Sequence, residues 1–177
     1  KVRKGTRNTT GHVEFRVGRA EDLPVESASA DLVCFMFSFH HVPADAQVRA
    51  LEECARVLRP GGRLHVVDPL PHGAMTEIVK PLEDETGVRT ASQTRLRELA
   101  MPEFRLVEQR DYVLTRQFLD FDQVVERVTS TDPARAAKLP VAMEVMKQAF
   151  DRHARLTDAG YLIDQPCVMF HFERIMI

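Results

Sequence analysis

Two adjacent histidines, His40 and His41, stand just after an apolar run from Leu32 to Phe37. Imidazole titrates near neutral pH, so a histidine there can act as a general base or orient a reacting group. The other reading is a satisfied structural histidine at the start of a helix. A metal site would need more, because adjacent side chains diverge and no third ligand stands at a metal-binding spacing. Cys34, Cys54 and Cys167 are odd in number and widely spaced. They read as three reduced thiols of a cytoplasmic protein. The eight glycines include no pair separated by one residue, so no G-x-G fingerprint or phosphate-cradling loop is present.

The elements that must position these groups follow from apolar spacing. Val13, Phe15 and Val17 alternate with Glu14 and Arg16, which predicts a short strand ended by Gly18. Leu32 to Phe37 is continuous, which predicts a strand buried on both faces. A helix is expected from Ala44 to Leu58, with Val48, Leu51, Cys54, Ala55 and Leu58 inward and Arg49, Glu52, Glu53 and Arg56 outward. Pro60-Gly61-Gly62 stops it. Leu64, Val66 and Val67 then form a strand ending at Asp68-Pro69. Gly73 to Met101 reads as weakly patterned helix, and Phe104 to Leu114 as a strand. Phe118 to Val128 and Ala134 to Leu156 read as helices, and Cys167 to Ile177 as a closing strand. Strand, strand, helix, strand is the arithmetic of an α/β sheet. Residues 1–177 read as one domain, with 70–103 and 118–160 as helical elements.

The chain has 177 residues, 44% hydrophobic and 28% charged, as expected of an ordinary globular domain. Its net charge of −2 argues against a nucleic-acid partner, despite a basic start at Lys1, Arg3, Lys4 and Arg7. The longest apolar run is far short of the roughly 18 residues a membrane span needs, so no membrane association is expected. No export signal leads the chain, which makes the Asn8-Thr9-Thr10 sequon idle.

Three pieces stand in order between Val13 and Pro69: V-E-F-R-V-G-R-A-E-D-L-P-V, A-D-L-V-C-F-M-F-S-F-H-H-V and R-V-L-R-P-G-G-R-L-H-V-V-D-P. This segment resembles the class I S-adenosylmethionine-dependent methyltransferases, of the small-molecule, type 11-like kind. The family pattern is a strand, G-D-A-E-x-L-P-F, S-F-D-x-V, a strand ending near H-H, and R-V-L-K-P-G-G. The resemblance implies a doubly wound, Rossmann-like, mostly parallel sheet with an antiparallel C-terminal strand. It implies S-adenosylmethionine as cofactor and a small-molecule methyl acceptor as partner.

Residue by residue, the resemblance puts Arg19, Ala20, Glu21 and Asp22 beside the adenine, since cofactors lie across strand carboxyl ends in such sheets. The family often has an acid where this chain has Arg19. An acid can accept from the exocyclic amine, whereas Arg only donates. Asp22 is a substitute acceptor, or Glu21 and Asp22 are solvated loop acids. Phe37 and Ser38 line the methionine side by resemblance, and His40 and His41 face the substrate mouth. Arg56 to Gly62 is structural in the family and carries no chemistry.

The family's glycine-rich loop and ribose-binding acid precede the Val13 strand. Only twelve residues do so here, and a strand-helix-strand unit takes about 30. The N-terminal strands of the domain are therefore expected to lie outside these 177 residues. Alternatively, a second copy completes the sheet as a homodimer, or the strands pair anew without cofactor. The rival function is a non-catalytic methyltransferase-like module serving dimerisation or scaffolding.

Overall fold

The computed structural model describes residues 13–132 and 134–176. The basic start, the Asn8 sequon and Ile177 lie outside them. Five strands form one sheet: β1 (Ala30–Met36), β2 (Leu58–Pro69), β3 (Phe104–Phe118), β4 (Arg155–Thr157) and β5 (Gly160–Arg174). The order is β1-β2-β5-β3, with β4 against β5. β1 and β2 are parallel, and β5 runs antiparallel to β2, β3 and β4. Four strands thus run one way and β5 against them, the Rossmann-like α/β arrangement with an antiparallel C-terminal strand. Helix α1 (Gln47–Val57) makes the β1-to-β2 crossover that a parallel pair requires. The remaining helices are α2 (Ala74–Val79), α3 (Thr86–Arg97), α4 (Phe121–Thr131) and α5 (Ala134–His153). None among the described residues is long and apolar enough to cross a membrane.

Local chemistry explains several boundaries. The Asp120 carboxylate accepts the Gln123 N–H at 2.9 Å, and Gln123 Oε1 accepts the Leu119 N–H at 2.9 Å. That reciprocal cap starts α4. α1 ends at Val57 and the chain turns straight into β2, with Gly61 at φ +81. The stretch expected as one weak helix is two, α2 and α3.

Two expectations are corrected. Val13 to Val17 forms no strand and is exposed, Val17 by 82%. A strand exists only by pairing, and among the described residues no strand lies beside it. β1 is not buried on both faces either, since Leu32 and Met36 are each 53% exposed. It is an edge strand among the described residues.

The core has two parts. One joins Phe39, Leu51, Cys54, Leu64, Phe170 and their neighbours around β1, α1, β2 and β5. The other joins Ile78, Phe118, Phe121, Val124, Met146, Phe150 and Ile163 around α2, α4, α5 and the ends of β3 and β5. Phe39 is fully buried, and burial of such a side chain contributes about 2–3 kcal/mol. On α5, Met146 and Phe150 are core, while Val145 is exposed.

Candidate functional site

The parallel register decides which groups meet. Met36 lies beside Val67, so the residues after β1 come out beside Asp68 at the end of β2. Phe37, at φ +54, donates its N–H to the Val67 carbonyl at 2.7 Å. A single 3₁₀ turn, Phe39–His41, follows. It drives His40 into the interior, where His40 Nδ1 lies 2.8 Å from Asp68 Oδ1 and the His40 N–H donates to Oδ2 at 3.2 Å. Both side chains are buried. The His41 ring packs on His40 with centroids 4.1 Å apart and stays half exposed.

His41 stands between two hollows. One, of about 350 Å³, is lined by Arg19, Ala20, Glu21, Phe35 and Ser38 together with His41, Val42 and Pro43. The other, of about 400 Å³, runs from His40 and His41 to the start of α3, with Glu83, Asp84 and Glu85 on its far wall. The structure therefore brings together Arg19, Ala20, Glu21, Ser38 and His41 of the expected residues. Asp22 and Phe37 do not line the first hollow, and Phe35 does. Period-two alternation puts Phe35 and Phe37 on one face, and it is the left-handed backbone at Phe37 (φ +54) that takes it out of that register.

Burial and the adjacent His40 ring push the His41 pKa below the usual histidine range. Arg135 adds to this, and Glu85 and Asp68 oppose it only in part. A neutral imidazole is the form that accepts a proton. His41 Nε2 lies 3.8 Å from Glu85 Oε1. His40, His41 and Glu85 bring ligand atoms within 4.8 Å of one another, a third group that sequence spacing did not reveal. The Glu85 carboxylate already accepts from Arg89, and from Arg135 at 3.1 Å.

The loop of Arg19 to Asp22 is tied down from α1. Glu53 is buried, not outward-facing as its helical spacing suggested. Its carboxylate accepts the Leu23 N–H at 3.0 Å and the Arg56 guanidinium at 2.8 Å. Arg56 in turn donates to the carbonyls of Leu23 and Val25 at 3.0 and 2.9 Å. These contacts hold the Glu53 pKa down at about 2, the Arg56 hydrogen bond counting most. Arg56 therefore does more than turn the chain, because it fixes the backbone behind the first hollow. Glu53 and Arg56 at i, i+3 were the only signal of it. Within the loop, Arg19 pairs with Glu21 at 2.6 Å, and the Asp22 N–H donates to the Arg19 carbonyl at 3.1 Å.

None of the three cysteines is in a disulfide. Burial raises the Cys54 thiol to about 12 and Cys167 to about 11, so neither supplies a thiolate nucleophile near neutrality.

Residues 1–66 match the family model described as a methyltransferase domain. Among curated proteins, the chain is 39% identical over 80 residues to 27-O-demethylrifamycin SV methyltransferase of Amycolatopsis mediterranei, covering 43% of this chain and 29% of that protein. It is 33% identical over 122 residues to the methyltransferase GfsG of Streptomyces halstedii, covering 69% of this chain and 41% of that protein. The chain thus spans less than half the length of these relatives. A solved candidate methyltransferase of Bacillus halodurans shares the fold with a TM-score of 0.57 at 18% identity, over 90% of this chain and 70% of that one. The domain match and the named relatives support a class I S-adenosylmethionine-dependent methyltransferase, and the solved structure shares its Rossmann-like fold.

Proposed function

We propose that this chain contributes to methyl transfer from S-adenosylmethionine to a small molecule, and that His41 stands where the two reactants meet. The observation that carries the reading is the place of His41, a ring shared by the hollow at Ala20 and the hollow at Glu85. The chemistry of the first hollow fits one side of the cofactor. Half-buried Ala20 and Phe35 offer apolar contact, and Glu21 and Ser38 offer polar atoms. Ala20, Glu21 and Ser38 would hold it, with Arg19 at the rim. The cofactor supplies a methyl group on a sulfonium, which is open to direct displacement.

The protein's own part is positioning, exclusion of water and management of one proton. His41, its pKa lowered by its surroundings, would take the proton from the acceptor as the acceptor's lone pair displaces the sulfur from the methyl carbon, the carbon–sulfur bond pair leaving on the thioether. Asp68 holds His40, and the His40 ring supports His41 from behind. Asp68 and His40 are positioning residues.

Calorimetry on the full-length protein tests the reading. S-adenosylmethionine should bind, and Ala20→Asp should weaken binding by more than about tenfold through crowding and desolvated charge. Unchanged affinity in that variant removes Ala20 from the site. No binding by the full-length wild type ends the methyl-transfer reading.

A further inference from the structure

Behind Glu85 lies a third, smaller cavity of about 150 Å³. Its walls carry four guanidinium groups, Arg89, Arg116, Arg127 and Arg135, against one carboxylate, Glu85. Four guanidinium groups converging on one cleft set up a positive field that attracts an anion. The four come from separate elements: Arg89 from α3, Arg116 from β3, Arg127 from α4 and Arg135 from α5. Their convergence is a product of tertiary structure, not of one basic helix face.

Arg135 and Arg89 are braced. Arg135 donates to Glu83 at 2.7 Å and to Glu85 at 3.1 Å. Arg89 donates to Glu85 and, at 3.0 Å, to Thr76 Oγ1. The Thr76 hydroxyl donates to Gln165 Oε1 at 2.8 Å in the same wall. Arg89 Nε is buried and has no acceptor among the described residues. A buried donor left without a partner calls for a ligand or an ordered water. Arg116 is half-buried and makes no ion pair among the described residues. Burial and the nearby Arg127 charge hold its pKa below the ordinary arginine value, a strain an anion would relieve.

The cavity is not isolated. Arg116, Phe118 and Arg127 also line an adjoining open hollow of about 450 Å³, where Glu126 is the acid. Glu85 is shared with the hollow at His41. A small oxyanion group fits the inner cavity, and the neighbouring hollows have room for the organic body that carries it.

We propose that Arg89, Arg116, Arg127 and Arg135 form an oxyanion site that anchors a carboxylate- or phosphate-bearing small molecule. Its role as the anchor of the methyl acceptor rests on the methyl-transfer reading, while the anion site itself does not. Guanidinium forks match both oxyanions in bidentate geometry.

The test is calorimetry on the full-length protein without S-adenosylmethionine, with inorganic phosphate and benzoate as separate probes. Saturable binding of at least one probe, weakening as salt is raised, is expected. Preference for phosphate assigns the ligand to phosphate esters, and preference for benzoate to carboxylic acids. Arg116→Gln and Arg127→Gln should each weaken binding about tenfold, and Arg116→Lys should weaken it less than Arg116→Gln. Two positions are used so that a folding defect in one leaves the other readable, and melting curves of both report the fold. Absence of binding to both probes, or equal affinity in wild type and both Gln variants, overturns the site. Anion binding without S-adenosylmethionine binding leaves the site standing and removes the methyl-transfer reading alone.

Discussion

The Asp68 carboxylate engages His40 twice, through the ring Nδ1 at 2.8 Å and through the backbone N–H at 3.2 Å. One buried acid thereby fixes both the ring and the turn that carries it. A carboxylate accepts, so the ring Nδ1 carries the proton of this hydrogen bond. Asp68→Ala strands a buried imidazole and should cost about 3 kcal/mol. Thermal melts followed by circular dichroism should then show the midpoint falling by roughly 6–12 °C. Asp68→Asn retains an acceptor oxygen and should lose less than half as much. A midpoint unmoved in Asp68→Ala would mean the pair holds nothing together.

The Glu53 clamp predicts acid sensitivity. Its folded pKa of about 2 lies below the ordinary carboxylate value. The unfolded chain therefore binds a proton more readily, and stability rises with pH across that gap. The contribution is fully present above the ordinary value and is lost as pH falls towards 2. Glu53→Gln should lower stability by about 1–2 kcal/mol near neutrality, and by much less in strong acid. Urea titrations at the two pH values measure this. An equal loss at both would detach the effect from ionisation.

His41 predicts a shifted acid limb. Because its pKa lies below the usual histidine value, the neutral base persists to lower pH than a free imidazole would allow. The full-length enzyme's kcat should fall only on the acid side of that ordinary value. His41→Gln should reduce kcat about 100-fold and abolish the limb. A variant with the parent's turnover across pH would leave His41 a structural group.

Two glycines should respond in opposite directions to alanine. Gly160 has φ +112, and an added Cβ would lie 2.3 Å from the Phe118 carbonyl oxygen. Gly160→Ala should cost about 3 kcal/mol through strain and overlap. Gly87 lies in α3 with nothing within 4 Å of such a Cβ. Gly87→Ala should stabilise by roughly 0.5–1 kcal/mol. Chemical denaturation of the two variants checks both signs.

Much of the fold was legible because it rests on local pattern. The Leu32 run, the helical spacing of Leu51, Cys54 and Ala55, and the closing run from Cys167 appear as β1, α1 and β5, although Leu58, expected in the helix, begins β2. Val13 to Val17 failed because alternation reports a willingness to pair and says nothing of whether a neighbour is there. Glu53 failed because helical periodicity placed it with the solvent, while a loop 30 residues upstream brought the Leu23 N–H to its carboxylate. His40 and His41 were legible as chemistry-bearing types. Their division of labour was not, since Asp68 and Glu85 reach them across 28 and 44 residues of chain. The arginine cavity was invisible for the same reason, as its four members come from four elements.

Pairing of β5 with β2 ends at Cys167, while its pairing with β3 continues to Tyr161. Beyond the sheet proper, a ribbon built mainly on β3 and β5 therefore overhangs by six residues, about 20 Å. A bare ribbon of that kind is marginal in water, so α2, α4 and α5 must clasp it to keep the second core closed. Each core is thus closed by its own helices, and local opening of the two is expected to cost different free energies. Amide hydrogen exchange in α4 and α5 is therefore expected to run ahead of exchange in α1 and β2, with the clamped loop at Ala20 undisturbed.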